Sequence, residues 1–255
     1  MYRAIAYLRF ISQSTNQHGV HSPFVFKFVT QCLYGALNKN IKHQIKNYPS
    51  AAVDLSDFNS SKIMTSTANE GSKKKENITK IHNHSPKVLK KAFTLSKVMN
   101  YFNFKTVLKL SNATDLKSYA MAISLPGGAL QTIQALNNTS EVEKARFKNQ
   151  EYTYVESLNS FTQKTLNAFQ KTYDCIYFDE PVLAPTPNYH FKLGLNLKHN
   201  DSVFIFDDMY RSKEMAEAWE FIKQHPKVTV TVDTFHLGFV FFRREQAKEH
   251  FKIRL

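Results

Sequence analysis

The sequence predicts an α/β fold: a doubly wound seven-stranded sheet whose last strand runs antiparallel, preceded by an α-helical N-terminal extension. Three observations carry this expectation. From residue 105 onward, short apolar runs alternate with helix-length segments, the pattern of a doubly wound sheet. Two of the runs, 175–178 and 203–206, lack polar alternation and are too short for helices, as strands covered on both faces are. Finally, the runs at 228–232 and 238–243 are joined by only five residues. That is too few for a parallel crossover, so they form a hairpin.

In chain order, residues 2–11 and 22–36 read as helices. The second opens on Ser22-Pro23, a capping side chain followed by proline at the first helical position. Phe24, Val25, Phe28, Val29 and Leu33 give it an apolar stripe. Between the two lies Gln17-His18-Gly19-Val20-His21, whose two histidines lack a third ligand and are expected to pack at the helix entry. His82 and His84 form a similar pair without partners. Residues 37–80 are crowded with Asn, Ser and Lys and show little hydrophobic periodicity, so they read as a long loop or flexible linker. The expected division is a basic helical extension over 1–80 and an α/β domain over 81–255. Ser85-Pro86 starts a helix running to about residue 102, with Val88, Leu89, Phe93, Leu95 and Val98 on its apolar side. Strands follow at 106–110, 129–133, 152–155, 175–178, 203–206, 228–232 and 238–243, with helices at 115–124, 139–148, 160–170, 188–197 and 212–224.

The net charge of +13 is concentrated at the front: residues 1–100 hold 15 Lys/Arg against 4 Asp/Glu, and the remainder 19 against 17. With no acid in residues 1–50, the basic front is expected to face nucleic acid, an acidic protein surface or an anionic lipid surface, unless it serves solubility alone. A homodimer is equally open. Cys32 and Cys175 form no disulfide framework and read as reduced packing residues. No apolar run approaches the ~20 residues of a membrane span, and no cleavable leader is evident, so a cytoplasmic location is expected.

Asp179 and the pair Asp207-Asp208 close the two apolar runs. In an open α/β sheet, ligands lie just beyond the carboxyl ends of the strands. If the two strands are neighbours, their ends are about 5 Å apart laterally, and three carboxylates meeting there suit a hard divalent cation such as Mg²⁺ or Ca²⁺. The alternative is that they form turns or cap the following helices.

This outline resembles the class I methyltransferases that use S-adenosylmethionine, whose Rossmann-like sheet has a reversed last strand. Asp179, Asp207 and Asp208 match the metal-ligand positions of the cation-dependent, catechol-type O-methyltransferases. Closer still, the chain looks like a Bacteroidetes group of methyltransferase-like proteins. That resemblance is carried by His18-Gly19-Val20-His21-Ser22-Pro23-Phe24-Val25, by residues 200–217 with Trp219, by His225-Pro226-Lys227-Val228 and by Phe241-Phe242-Arg243. It implies cofactor-binding positions at Lys109, Ser111, Ala113, Asp115, Gln134 and Ser157. It also implies a metal on Asp179, Asp207 and Asp208, with Lys213 and His190 as candidate helpers for transfer of a methyl group to an oxygen nucleophile.

The sequence departs from that family where the cofactor should sit. The first strand should end in an acid and enter a glycine-rich turn, which lets the backbone approach the ligand; residues 107–115 contain no glycine, and Lys109 stands where the acid is expected. At an effective dielectric of about 20, like charges 5 Å apart repel by roughly 3 kcal/mol. Gln134 replaces the acid that holds the ribose hydroxyls, and the segment Asp57-Phe58-Asn59-Ser60-Ser61-Lys62 is likewise without glycine. The expectation is therefore a methyltransferase homologue with impaired or absent cofactor binding. An active cation-dependent O-methyltransferase and a basic binding module for RNA or protein are the alternatives.

Overall fold

The computed structural model describes residues 2–48, 85–111, 115–125, 127–135, 150–155, 172–179 and 187–255. The N-terminal helices are α1 (Tyr2–Gln13), α2 (Pro23–Lys27, continued by a π-helical turn over Phe28–Leu33), α3 (Lys39–Lys46) and α4 (Pro86–Phe102). They are followed by β1 (Thr106–Leu110), α5 (Leu116–Ala122), β2 (Ala129–Ala135), β3 (Gln150–Val155) and β4 (Tyr173–Phe178). The remaining elements are α6 (Pro187–Gly194), β5 (Lys198–Asp207), α7 (Lys213–Gln224), β6 (Val230–Asp233), β7 (Leu237–Phe241) and β8 (Glu249–Lys252). The sheet runs in the order β3-β2-β1-β4-β5-β7-β6-β8.

All seven expected strands form, and β7 lies antiparallel to both β5 and β6. The sheet gains an eighth strand that the sequence reading missed, because Glu249-His250-Phe251-Lys252 has one apolar residue and pairs only at the sheet edge, parallel to β6. Central strands are buried on both faces. Leu108, Leu110, Ile176, Phe178, Phe204 and Phe206 join Phe10 of α1, Phe191 of α6 and Trp219 of α7 in one core. Val107, Cys175, Tyr177, Val203 and Ile205 point the other way, into a core with Phe28, Leu95 and Val98 from the helices before the sheet. Phe178 stacks on Phe206 across β4 and β5 with ring centroids 4.5 Å apart, and burying each ring contributes about 2 to 3 kcal/mol.

The N-terminal helices are built into these cores: α1 covers one face and α2 the other, and Thr15 bridges to Ile253 beyond β8. Two expectations for this region are corrected. Residues 39–46, read as loop, form α3, for which the Asn38 side chain accepts from the backbone N–H groups of Asn40 and Ile41; two isoleucines were too few to show a period. His18 and His21 are both exposed, while Val20 and Ser22 are the buried residues at that helix entry. Gly19 is required there, since a Cβ would fall 2.1 Å from Thr15 Oγ1. The helices expected at 139–148 and 160–170, the segment 49–84 with its His82 and His84, and Asp57-Phe58-Asn59-Ser60-Ser61-Lys62 lie outside the described residues.

Cys32 and Cys175 are both free and buried, and burial pushes the Cys32 thiol up to about 12, consistent with packing rather than reactivity. Among the described residues, no helix is long and apolar enough to cross a membrane.

Candidate functional site

The site forms at the carboxyl ends of β1, β4 and β5. Strands β4 and β5 are parallel neighbours with Phe178 level with Phe206, so Asp179 and Asp207 emerge side by side. Lys109 of β1 is level with Tyr177 of β4 on the same sheet face. Helix α5 begins directly above, capped by Asp115 in a reciprocal capping box with Ser118. Its second residue, Lys117, therefore overhangs the strand ends. A cation in the first turn opposes the helix dipole by roughly 0.3 to 1 kcal/mol, an unfavourable placement that the carboxylates below it offset.

Every carboxylate oxygen of the expected metal-ligand triad accepts a hydrogen bond from a protein donor. Asp179 Oδ1 accepts from Lys117 Nζ at 2.6 Å and Oδ2 from Ser111 Oγ at 2.6 Å. Asp207 Oδ1 accepts from Lys91 Nζ, while Oδ2 accepts from Lys117 Nζ at 2.8 Å and the Tyr177 hydroxyl at 2.7 Å. Asp208 Oδ1 accepts from Arg3 at 2.6 Å and Oδ2 from Lys87 Nζ at 2.6 Å. Asp208 also adopts a left-handed backbone, φ +53°, with its N–H donating to His236 O at 2.9 Å. That conformation, tolerated by aspartate at a cost of about 1 kcal/mol, sends its side chain to α1 and α4. The three carboxylates thus do not meet at one point: Asp179 and Asp207 share Lys117, and Asp208 is served separately by Arg3 and Lys87. Lys91 links the two groups, lying 3.8 Å from Asp208 Oδ2.

Lys109 is fully buried, 0% exposed. Its ammonium donates to Asp115 Oδ1 at 3.1 Å and to Ser118 Oγ, and lies 3.8 Å from Asp179 Oδ2. The capping acid of α5 and a strand-end acid stand beside this cation, so the like-charge repulsion reasoned from the sequence is an upper bound.

The electrostatics follow from this packing. Burial would raise the Asp207 carboxyl, but Lys117 and Lys91 overcome it and hold the group down at about 2. Asp115 and Asp208 are lowered in the same way against their own burial, the first by Lys109 and Lys117, the second by Lys91, Lys87 and Arg3. Burial would lower Lys117, yet Tyr177 and the surrounding aspartates carry it well above the usual ammonium range. Tyr177 is pushed well up by burial and by Asp207, and remains a neutral donor.

A divalent cation does not fit this donor set. Mg²⁺ or Ca²⁺ needs carboxylate lone pairs directed at it from about 2.0 to 2.6 Å, and these oxygens are already engaged by ammonium, guanidinium and hydroxyl groups. Among the described residues, no group of three or more His, Cys, Asp or Glu side chains is arranged to hold a metal ion.

Of the other positions expected to matter, Ser111 is buried and bonded to Asp179, Asp115 caps α5, and Gln134 lies in β2 level with Tyr154. Ala113 and Ser157 lie outside the described residues. Lys213 is not brought to the cluster: its side chain is 73% exposed at the start of α7, 3.6 Å from Glu217. His190 is buried in α6. Sequence reasoning missed Arg3, Lys87, Lys91, Lys117 and Tyr177. For Lys91 a signal was present, since it falls on the apolar stripe of α4 between Val88 and Leu95 and is buried there.

The strand order and the reversed β7 make an α/β, Rossmann-like fold that is shared with solved methyltransferase structures. Solved structures of similar fold include an O-methyltransferase. The O-methyltransferase TomG from Streptomyces achromogenes, involved in tomaymycin synthesis and solved in complex with SAM, superposes with a TM-score of 0.51 at 15% identity, covering 75% of this chain and 96% of that one. Cofactor-bound Rv0187 from MTB gives a TM-score of 0.50 at 15% identity, covering 88% of this chain and 98% of that one. At such identities the likeness is one of fold. No protein-family model matches the sequence, and no curated protein matches it.

Proposed function

We propose that this chain is an O-methyltransferase-like protein in which the ground normally given to cofactor and cation has been taken over by its own lysines, so that cofactor binding is impaired or absent and catalysis is weak or lost. The observation that carries this reading is the saturation of Asp179, Asp207 and Asp208: all their oxygens accept from protein donors, with Lys117 bridging the first two. A substrate hydroxyl activated by a metal at these carboxylates would require the lysines to leave. Removing one member of a buried ion pair costs about 3 to 5 kcal/mol.

Two further features support the reading. Ser111 stands where the family's turn carries glycine, and its hydroxyl is held against Asp179. Lys109 fills the position of the family's acid and is locked inward by Asp115 and Ser118. S-adenosylmethionine carries an α-ammonium and a sulfonium, and among the described residues a site lined by Lys109 and Lys117 lacks the unpaired carboxylate that would receive them.

The test is calorimetric titration of the full chain with S-adenosylmethionine and with S-adenosylhomocysteine. The proposal expects no saturable heat in the micromolar range for either. Micromolar affinity for both ligands would return the protein to the active O-methyltransferases, and binding of S-adenosylhomocysteine alone would locate the defect in repulsion of the sulfonium.

A further inference from the structure

A second polar site lies at the β8 edge of the sheet. Between α7 and the β6–β8 edge is a cleft of about 230 Å³, lined among others by Trp219, Lys223, Thr231, Asp233, His250 and Lys252. The parallel register sets Thr231 level with His250 and Asp233 level with Lys252. Because side chains alternate with a period of two, these four residues share one face. Trp219 and Lys223, one helical turn apart on α7, close the cleft from above.

The hydrogen-bond accounting of this cleft is one-sided. Each Asp233 oxygen accepts one hydrogen bond, Oδ1 from Phe235 N at 2.8 Å and Oδ2 from the Tyr210 hydroxyl. Thr231 Oγ1 pairs with His250 Nδ1 at 2.9 Å. Lys223 directs one hydrogen to Glu220, at 2.7 Å, and Lys252 one to Gln13; each ammonium has three to give. Trp219 is 1% exposed, and its Nε1 is a buried donor without a hydrogen-bond partner among the described residues. A buried N–H left without an acceptor costs about 1 to 3 kcal/mol, so such groups ordinarily meet a protein acceptor, water or a ligand. The cleft has donors to spare, and against the single carboxylate of Asp233 its lining sets two ammoniums, Lys223 and Lys252.

We propose that the cleft binds a small anion through carboxylate or phosphate oxygens, with the Trp219 indole N–H and the ammoniums of Lys223 and Lys252 as its donors. It is distinct from the lysine–aspartate cluster, which sits on β1, β4 and β5, whereas this cleft is built on β6, β8 and α7. The inference does not depend on whether S-adenosylmethionine binds.

The chain contains a single tryptophan, so ¹⁵N-labelled protein gives one indole N–H resonance, and that resonance reports on the donor itself. Inorganic phosphate and succinate are titrated separately, which distinguishes the two sources of oxygen. The expected result is a saturable downfield shift of the indole resonance with at least one of them, and binding weakened about tenfold in K252Q and in K223Q. Both lysines lie partly in solvent, so either variant serves if the other is poorly folded. An indole resonance that stays in place for both probes up to roughly 0.1 M, where the Debye length is about 10 Å, overturns the proposal and leaves water as the partner of Trp219. So does a shift that never saturates, or one whose affinity in both lysine variants is the same as in the wild type, because that describes general salt screening.

Discussion

Lys117 Nζ lies 2.8 Å from Asp207 Oδ2, with the lysine side chain 11% exposed and the aspartate 0%. The pair joins the first turn of α5 to the end of β5, and through Asp179 to β4. The sequence reading expects a divalent cation at these acids; in the structure an ammonium tethered to the chain supplies the positive charge. A tethered cation has no free form to dissociate, so the charge balance of the strand ends becomes part of folding.

Replacing Lys117 with methionine keeps the stem and removes the charge. Asp179 and Asp207 then lose a shared partner while remaining buried, and breaking a buried pair in this way costs about 3 to 5 kcal/mol. Urea denaturation of Lys117→Met at neutral pH is expected to show a loss in that range with an unchanged slope. A change below about 0.5 kcal/mol, typical of an exposed position, would mean that the ammonium is not where the carboxylates need it.

The Asp207 carboxyl is held at about 2 against an ordinary 3.8. A depressed acid contributes stability that is present above its unfolded value and lost as the pH falls through its folded value. Between about 3.8 and about 2, then, unfolding stability should drop by about 2 kcal/mol from this group. Asp115 and Asp208 are shifted in the same direction. Denaturation curves measured down this window are expected to be steeper for the wild type than for Asp207→Asn, which no longer titrates.

Asp208 is buried, while Arg3 and Lys87 each reach it from partly exposed positions. Removing one donor leaves the other, so Arg3→Ala and Lys87→Ala should each cost about 1 kcal/mol. Asp208→Ala strands both donors and puts alanine in a left-handed conformation, adding about 1 to 2 kcal/mol. The expected order in chemical denaturation is Asp208→Ala well below either single donor variant; equal losses would contradict it.

Gly238 of β7 lies against α7. A Cβ there would fall 2.6 Å from Met209 Sδ and 2.7 Å from the Trp219 ring. Methionine can yield, but the indole is fixed in the core. Gly238→Ala is expected to lower stability by about 1 to 3 kcal/mol, with a blue- or red-shifted Trp219 emission as the local signature.

The fold was legible because its signals are local. Val203–Ile205 and Cys175–Tyr177 alternate between two buried faces, so both read as unbroken apolar runs, and the short link at 233–237 forced the hairpin. Strand β8 was not legible, since at an edge Glu249, His250 and Lys252 need no burial and pairing alone makes the strand. At the site, the sequence located the carboxylates but not their partners. Arg3 and Asp208 are 205 residues apart, and no spacing rule connects them. Lys109 was read with the right identity and an incomplete environment, because Asp115 looked like a ligand position when its first role is to cap α5 and pair with that lysine.

The central claim is that lysine ammoniums, rather than a divalent ion, neutralise Asp179 and Asp207. It is tested most directly by titrating the wild-type chain and Lys117→Ala with Mn²⁺ in a calorimeter. The account predicts no saturable binding by the wild type at ~1 mM, the weak end of oxygen-ligand cation affinities, with binding emerging or strengthening once Lys117 is removed. Saturable sub-millimolar binding by the wild type that is lost in Asp207→Asn would contradict it, since the carboxylates would then be serving a metal with the lysine in place.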